Sequence, residues 1–343
     1  MSNPLSSGLR LPPPRRPTTT PQERTKVVQA TDNDALSSRL SAVSLGYLDD
    51  PFCFHFTPLT PQTAPRKLPI INLGTYVRTT ALDLLVHRFL HHPAFKSQRK
   101  QIISFGAGSD TRFFRLRETE PELDILYHEL DFAAVTRGKV AAIARSAELR
   151  VLIADDAAEL DEAAGTVRSE RYNIHAVDLR ELPSTTLAGV DPDMPTLCIS
   201  ECCLIYLEPG EADAVFKWST STLRGDVGMV LYEPIGGNDA FGKVMIQNLA
   251  ARGIVLKTLK RYESLERQKE RFRALGYKDG QGGVDIEFAS ERWVEEEEKQ
   301  RLRALEFRDE VEEWMLLARH YCVAWGWRGN GWEGWTEGLE TQV

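Results

Sequence analysis

The chain has 343 residues, and its 42% hydrophobic and 27% charged content excludes collagen-like, membrane-type and wholly disordered chains. Its formal net charge of -8 disfavours nucleic acid as a partner, because phosphate backbones are bound by clustered lysine and arginine. No apolar run approaches the roughly 20 residues of a membrane helix, so we predict a monomeric cytoplasmic or nuclear protein without membrane contact.

The cysteines and histidines predict neither disulfides nor a metal centre. The 5 cysteines are an odd number in a long chain, and we find no C-x-x-C pair or histidine spacing suited to zinc. We therefore expect free thiols in a reducing compartment and no bound metal.

The N-terminal third is predicted to be a tail followed by a helical cap. Residues 1–28 are rich in Pro, Ser, Thr and Arg without hydrophobic periodicity, which is typical of a disordered tail. A short helix follows, with its N-cap in the acidic stretch at 32–34. A second, amphipathic helix runs from Val77 to Phe89, with Arg78 just off its apolar stripe. Residues 29–100 are thus assigned to the cap.

Between residues 101 and 235, short apolar runs alternate with helical segments. Continuous apolar runs are typical of strands buried on both faces, and the helices between them indicate parallel βαβ units. The runs lie at 101–105, 125–130, 172–177, 196–200 and 227–232. We predict an α/β fold with a doubly wound sheet, whose ligand lies beyond the carboxyl ends of the strands.

The C-terminal third is predicted to be mainly helical. Charge and apolar periodicity together predict helices at 240–252, 264–275, 291–305 and 309–318, followed by a late strand at 321–327. Residues 29–330 then form one domain, and 331–343 a flexible tail. We find no internal repeat.

The first buried run ends in a glycine-rich turn. Gly106 and Gly108 allow a sharp bend and let backbone N–H groups approach a ligand, although such turns also serve packing alone. Arg112 stands near the position of the third glycine of G-x-G-x-x-G, which makes a dinucleotide site less favoured.

The next three runs each end in an acid. Asp131 is placed to accept hydrogen bonds from ribose hydroxyls, the alternative being a helix N-cap. Asp178 and Leu179 could hold the edge and face of an adenine. Glu201 follows a buried strand, where a charge needs a partner such as a bound cation. Together these strand ends predict an adenosyl pocket.

Longer motifs, in order and spacing over about residues 31–327, resemble the leucine carboxyl methyltransferase family. They are Ala42-Val43-Ser44-Leu45-Gly46-Tyr47, Ile71-Asn72-Leu73-Gly74-Thr75-Tyr76-Val77-Arg78, Gly106-Ala107-Gly108-Ser109-Asp110-Thr111, Glu129-Leu130-Asp131-Phe132, Asp178-Leu179-Arg180, Glu201-Cys202-Cys203-Leu204-Ile205-Tyr206, Tyr232-Glu233-Pro234, Gln268-Lys269-Glu270-Arg271 and Arg319-His320-Tyr321-Cys322. The resemblance implies a Rossmann-like class I methyltransferase with a helical cap and helical insertions. It also implies S-adenosylmethionine as cofactor, and as acceptor the C-terminal leucine carboxylate of a type 2A protein phosphatase catalytic subunit.

The resemblance also implies roles for individual residues. Arg78 matches the arginine that binds the methionine carboxylate of the cofactor, and Gly106 the glycine under its amino-acid part. Asp131 matches the ribose acid, and Glu201 the acid near the methionine amino group. For the family's basic residue in the first helix, Arg39 is our candidate.

Two further positions, Asp178 and Leu179, match the family's adenine contacts. Tyr206 and Tyr232 are candidates to orient the substrate carboxylate, with simple packing as the alternative. We assign no general base, because a leucine α-carboxylate with a pKa of about 3.3–3.7 is already ionised at neutral pH.

Three other interpretations stay open. The first is a related methyltransferase acting on another carboxylate or on tRNA, against which the acidic charge and the absence of repeats weigh. The second is a Rossmann oxidoreductase, disfavoured by the missing third glycine. The third is a non-catalytic S-adenosylmethionine-binding partner of the phosphatase, which the intact set of acids disfavours.

Overall fold

A computed structural model describes residues 20–153 and 158–342 of the chain. Its helices are α1 (Pro21–Ser44), α2 (Pro69–Leu90), α3 (Arg112–Thr119), α4 (Ala133–Arg145), α5 (Ala147–Ile153), α6 (Pro209–Thr222), α7 (Ala240–Ala251), α8 (Leu265–Ala274), α9 (Ile286–Arg292), α10 (Glu296–Leu305) and α11 (Val311–Arg319). Its strands are β1 (Lys100–Phe105), β2 (Ile125–Asp131), β3 (Glu159–Asp161), β4 (Thr166–Arg168), β5 (Tyr172–Ala176), β6 (Thr196–Glu201), β7 (Val227–Pro234), β8 (Gly280–Asp285) and β9 (Tyr321–Arg328). None of the helices in these ranges is long and apolar enough to cross a bilayer.

The strands form one sheet in the order β3-β4-β5-β2-β1-β6-β7-β9-β8. The five strands from β5 to β7 are parallel, and β9 runs antiparallel to both of its neighbours. The predicted doubly wound α/β fold is confirmed. From β1 the chain proceeds to one side through β2 and β5, and to the other through β6 and β7, so the order reverses between β1 and β6, where such sheets bind ligands.

Strand register brings the predicted site residues to one edge of the sheet. Phe105 at the end of β1 pairs with Leu130 of β2 and with Ser200 of β6. Gly106, Asp131 and Glu201 are therefore the next residues on three adjacent strands. Tyr232 of β7 pairs directly with Glu201.

The N-terminal tail is shorter than predicted, because α1 begins at Pro21. Thr20 and Glu23 form a capping box: the Thr20 Oγ1 accepts from the Glu23 N–H at 3.3 Å, and the Glu23 carboxylate accepts from the Thr20 N–H at 2.7 Å. A capping box with proline at the first helical position is a strong start signal. Residues 21–28 thus belong to α1, and the acidic stretch at 32–34 lies inside it. The rest of the predicted tail, residues 1–19, lies outside the described residues.

The C-terminal segment is packed where we predicted a flexible tail. Trp332 and Trp335 are fully buried, and the Trp332 ring stacks on Phe89 of α2 with centroids 4.9 Å apart. The Trp335 Nε1 donates to the Leu85 carbonyl at 3.1 Å, and Gln342 bonds to Asp285. Two buried indoles stabilise this segment more than its loop-like composition indicates.

We expect Trp335→Ala to lower the free energy of unfolding by about 3–5 kcal/mol, because it empties a fully buried aromatic site. Denaturant titration measures the change. Glu333→Ala, which alters an exposed side chain two residues away, is the control and should stay within about 0.5 kcal/mol of the parent. Equal unfolding midpoints for Trp335→Ala and the parent would show that the segment is not packed as described.

Candidate active site

A cavity of about 440 Å³ lies at the carboxyl ends of β1, β2 and β6, roofed by α1 and α2. Its volume is in the range of small-molecule sites. Its polar wall contains Gly106, Asp131 and Glu201, all of which sequence reasoning placed there. Arg39 and Arg78 reach it from the helices above. The structure thus brings five of the seven predicted cofactor-binding residues to one cavity.

The glycine-rich turn fits closely against its neighbours. Gly106 has φ +64°, and a Cβ added there would lie 2.3 Å from the Cys203 Sγ. Gly108 has φ +49°, and a Cβ there would lie 2.3 Å from Asp32 Oδ1. Both positions therefore require glycine for conformation and for space.

Asp32 of α1 holds the turn from above, a contact that sequence reasoning missed. Its Oδ1 accepts hydrogen bonds from the Ser109 N–H and from the Ser109 hydroxyl, both at 2.8 Å. The acidic stretch at 32–34 predicts an N-cap, but Asp32 faces the cavity from the middle of α1.

The half-buried Asp131 carboxylate at the end of β2 is a hydrogen-bond acceptor. Its carboxylate accepts from the Gly108 N–H at 2.8 Å and from the Phe132 N–H at 2.7 Å. Burial raises the pKa of Asp131 to about 6, although these two hydrogen bonds oppose the shift. The remaining lone pairs are available to hydroxyl donors in the cavity.

Arg78 and Glu201 form an ion pair across the cavity wall. The Arg78 Nε donates to Glu201 Oε1 at 2.5 Å, and the guanidinium lies 4.8 Å from the centroid of the Tyr232 ring. Burial alone would lower the pKa of Arg78, but the charge of Glu201 raises it above its ordinary value. In the described part of the chain, Nε makes the one hydrogen bond of this guanidinium, so both Nη groups are left for an anionic ligand.

Arg112 stabilises the ion pair of Arg78 and Glu201. It is buried, and its guanidinium bonds to Asp83 at 2.7 Å, to Asp110 at 2.5 Å and to Glu201 at 3.4 Å. Burial raises the pKa of Glu201, but Arg78 and Arg112 outweigh it and hold that pKa below its ordinary value. Sequence reasoning used Arg112 only as the residue that breaks a glycine motif, because its ion pairs depend on tertiary structure.

Arg39 reaches the cavity while anchored by its own partners. Its Nη1 donates to Asp50 Oδ2 at 3.1 Å and its Nη2 to the Thr79 hydroxyl at 3.4 Å. The same Asp50 oxygen accepts from the Thr111 hydroxyl at 2.6 Å. This network fixes α1 and α2 against the turn that follows β1.

Three tyrosines line the cavity beside Arg78. Tyr206 and Tyr232 were predicted, and Tyr321, at the start of β9, was missed even though it lies in a family motif. The Tyr232 and Tyr321 rings stack with centroids 5.5 Å apart. Burial raises the pKa of all three hydroxyls, so they are neutral donors at physiological pH.

Apolar side chains also line the cavity, and we call them its apolar wall; the sequence did not reveal them. They come from α2, α9 and α11 and meet only in the folded chain. They are Ile70, Ile71, Ile286, Trp314 and Leu317.

Asp178 and Leu179 lie outside the lining of this cavity. The Asp178 carboxylate accepts from the Arg180 Nε at 2.9 Å, and Leu179 is buried in the hydrophobic core. They follow β5, beside the end of β2, where the Val177 N–H donates to the Asp131 carbonyl at 2.9 Å. The structure therefore places them next to Asp131 but not in the cavity wall.

Among the described residues that line the cavity there is no histidine. The buried His128 and His175 bond to each other at 2.9 Å. Burial lowers the pKa of His128 well below its ordinary value and that of His175 to about 3, so both are neutral.

The geometry agrees with comparisons to known proteins. A family model described as leucine carboxyl methyltransferase matches residues 27–220. Leucine carboxyl methyltransferase 1 of Emericella nidulans is 50% identical over 328 residues, covering 88% of this chain and 85% of the relative. The chain belongs to the leucine carboxyl methyltransferase family.

Other relatives extend the comparison. Leucine carboxyl methyltransferase 1 of Aspergillus fumigatus is 48% identical, covering 91% of this chain and 87% of the relative. A solved geranyl diphosphate methyltransferase in complex with GPP and sinefungin covers 89% of this chain and 99% of its own, at a TM-score of 0.46 and 13% identity.

This family member is an enzyme that methylates a C-terminal leucine carboxyl group, with S-adenosylmethionine as its cofactor. The donor set fits the cofactor: the two Nη groups of Arg78 suit a carboxylate, Asp131 suits hydroxyls, and Glu201 suits an ammonium group.

Two family motifs distant in sequence meet behind the cavity. Glu233 on β7 and Arg271 on α8 are both fully buried and form an ion pair at 3.2 Å, joined by Gln268. The Arg271 guanidinium lies 4.1 Å from the centroid of the Tyr262 ring. This pair fixes α8 to the strand that carries Tyr232.

Proposed function

We propose that this methyltransferase esterifies the C-terminal leucine of a type 2A protein phosphatase catalytic subunit. The observation that carries the proposal is one cavity lined by an arginine–glutamate pair, three neutral tyrosines and a set of apolar side chains. With the arginine–glutamate pair binding the cofactor, the tyrosine hydroxyls and the apolar wall suit an apolar residue that ends in a carboxylate. The absence of histidine among the described lining residues agrees with an acceptor that needs no deprotonation.

The cofactor contacts are proposed as follows. Arg78 binds the methionine carboxylate through its Nη groups, and Glu201 accepts from the methionine ammonium. Asp131 accepts from the ribose hydroxyls over the turn at Gly106. Arg39 adds positive charge near the methionine end.

Further cofactor contacts are proposed at the end of β5. Asp178 and Leu179 hold the adenine there, next to Asp131, once the cofactor extends beyond the cavity.

Methyl transfer to a carboxylate depends on the positioning of the two reactants more than on acid or base groups. Bound S-adenosylmethionine supplies a methyl group on a sulfonium. That methyl group would go to a leucine carboxylate oxygen, and S-adenosylhomocysteine would be the second product; the residues of the cavity would hold the carboxylate in line with the methyl group. Opposite charges disappear in this step, so a cavity that excludes water favours it.

The substrate contacts follow from the two walls. Tyr206, Tyr232 and Tyr321 carry protonated hydroxyls that can donate to the substrate carboxylate and orient it toward the methyl group. The apolar wall, which includes Trp314 and Leu317, accepts the leucine side chain.

We expect Asp131→Ala to weaken binding of S-adenosylhomocysteine at least about tenfold, because each lost charge-assisted hydrogen bond costs about 1.5–3 kcal/mol. Calorimetric titration measures the affinity. Asp124→Ala, at an exposed acid just before β2, is the matched control and should bind as the parent does. Unchanged affinity in folded Asp131→Ala would refute the ribose assignment.

Because the pKa of Asp131 is about 6, we expect the affinity for the cofactor to depend on pH. Ribose hydroxyls donate to the carboxylate form, so protonation of Asp131 competes with binding, and affinity should fall as the pH drops below 6. Asp131→Asn cannot ionise and should bind weakly with no such fall between pH 7.5 and 5.5. A parallel fall in both proteins would assign the dependence to another group.

A labelling experiment tests whether the phosphatase is the substrate. The protein is incubated with methyl-labelled S-adenosylmethionine and a whole-cell lysate, and the labelled band is identified by mass spectrometry. The proposal expects the type 2A phosphatase catalytic subunit, labelled at its terminal leucine. Label on tRNA or on another protein, with the phosphatase present and unlabelled, would contradict it.

A further inference from the structure

Three potential metal ligands meet at the end of α2 farthest from the cavity. His87 lies in the last turn of α2, His91 directly follows that helix, and Glu120 directly follows α3. One ligand atom from each residue lies within 4.8 Å of the others, and His91 Nε2 is 2.7 Å from Glu120 Oε2. None of the three lines the active-site cavity.

The hydrogen bonds of His91 determine which of its nitrogens is free. Nδ1 lies 2.9 Å from the His87 carbonyl oxygen, which can only accept, so Nδ1 carries the proton. Nε2 is then the ring nitrogen left to face the Glu120 carboxylate, and it lies 2.7 Å from Oε2. A histidine that donates its other N–H to a backbone carbonyl is the usual arrangement around bound metals.

We propose that His87, His91 and Glu120 bind a divalent transition metal, with zinc as the fitting ion. Two imidazole nitrogens and one carboxylate oxygen are a donor set that zinc prefers, with water completing a tetrahedron. The two imidazole rings already stack with centroids 4.0 Å apart. The spacing i, i+4 was visible in the sequence, where we found no zinc motif, but its third ligand comes from a different helix.

Metal binding would link two helices of the fold. The metal joins the C-terminal end of α2 to the C-terminal end of α3. Helix α2 carries Arg78, and α3 begins at Arg112. Both arginines bond to Glu201. A metal that binds the folded chain in preference to the unfolded one raises its stability. It has no part in the methyl-transfer step.

The experiment uses the untagged full-length protein, freed of metal by a chelator and titrated with zinc chloride. We expect micromolar affinity by calorimetry, a zinc-dependent rise in Tm, and visible absorption bands of a tetrahedral site with cobalt(II). His87→Ala and His91→Ala should each weaken zinc binding at least about tenfold, and Glu120→Gln should weaken it less.

His55→Ala is the matched control, because His55 also pairs with a glutamate, Glu148 at 3.0 Å, but belongs to no group of three potential ligands among the described residues. It should bind zinc as the parent does. The proposal is overturned if His87→Ala and His91→Ala both bind zinc like the parent, or if zinc does not raise Tm. Either result would leave His91 and Glu120 as a simple ion pair.

Discussion

Replacing Arg78 with alanine is expected to lower kcat/KM for methyl transfer by at least about 100-fold. The change removes two interactions together: the Nη donors proposed to bind the methionine carboxylate, and the cation that neutralises Glu201. Breaking this half-buried ion pair on one side adds a further cost, because Glu201 keeps its charge without its closest partner. Arg112, at 3.4 Å from the other Glu201 oxygen, compensates only in part.

The measurement combines steady-state kinetics with calorimetric titration of S-adenosylhomocysteine. Arg78→Lys keeps the charge but not the paired donors, and we expect intermediate activity. Arg303→Ala removes an arginine from an exposed ion pair on α10 and serves as the control. A folded Arg78→Ala protein with near-parental kcat/KM would exclude Arg78 from the cofactor site.

The second large effect concerns the acceptor. A substrate whose C-terminal leucine is amidated should not be methylated, because a neutral amide is neither attracted to a sulfonium nor nucleophilic enough to attack it. Replacing that leucine with alanine should raise the activation free energy by about 1–3 kcal/mol for each methylene-sized group of the substrate that no longer contacts the apolar wall. These effects act on the substrate alone, so the enzyme's folding cannot account for them.

The strand ends were predictable because they depend on local signals. Continuous apolar runs identified the five parallel strands to within a residue or two, and parallel pairing brings the carboxyl ends together at one edge. The positions of Gly106, Asp131 and Glu201 in one cavity followed directly. Their placement needed no knowledge of the loops.

Strand β8 was not predictable from propensity. Its sequence is rich in glycine, which is normally depleted in strands. The structure gives the reason: a Cβ at Gly280 would lie 1.9 Å from the Trp327 ring, and one at Gly282 would lie 2.5 Å from that of Trp325. Large indoles on β9 occupy the space beside β8, so only glycine fits there. The short hairpin of β3 and β4 was missed because three-residue strands leave little pattern.

The residues that hold the site residues in place could not be predicted from the sequence either. Arg112 acts through Asp83 and Glu201, and Asp32 acts through Ser109, so each depends on long-range contacts. A charged residue in a helical segment has the same local pattern whether it faces water or a buried partner. Only the fold distinguishes the two.

The central claim is that the accepting group is the free α-carboxylate of a C-terminal leucine. The most direct measurement offers methyl-labelled S-adenosylmethionine and three forms of the phosphatase catalytic subunit: native, lacking its terminal leucine, and with that leucine replaced by alanine. We predict base-labile label, as an ester requires, on the native form, strongly reduced label on the alanine form and none on the leucine-less form. Equal labelling of the native and leucine-less forms, or label that resists base, would contradict the account.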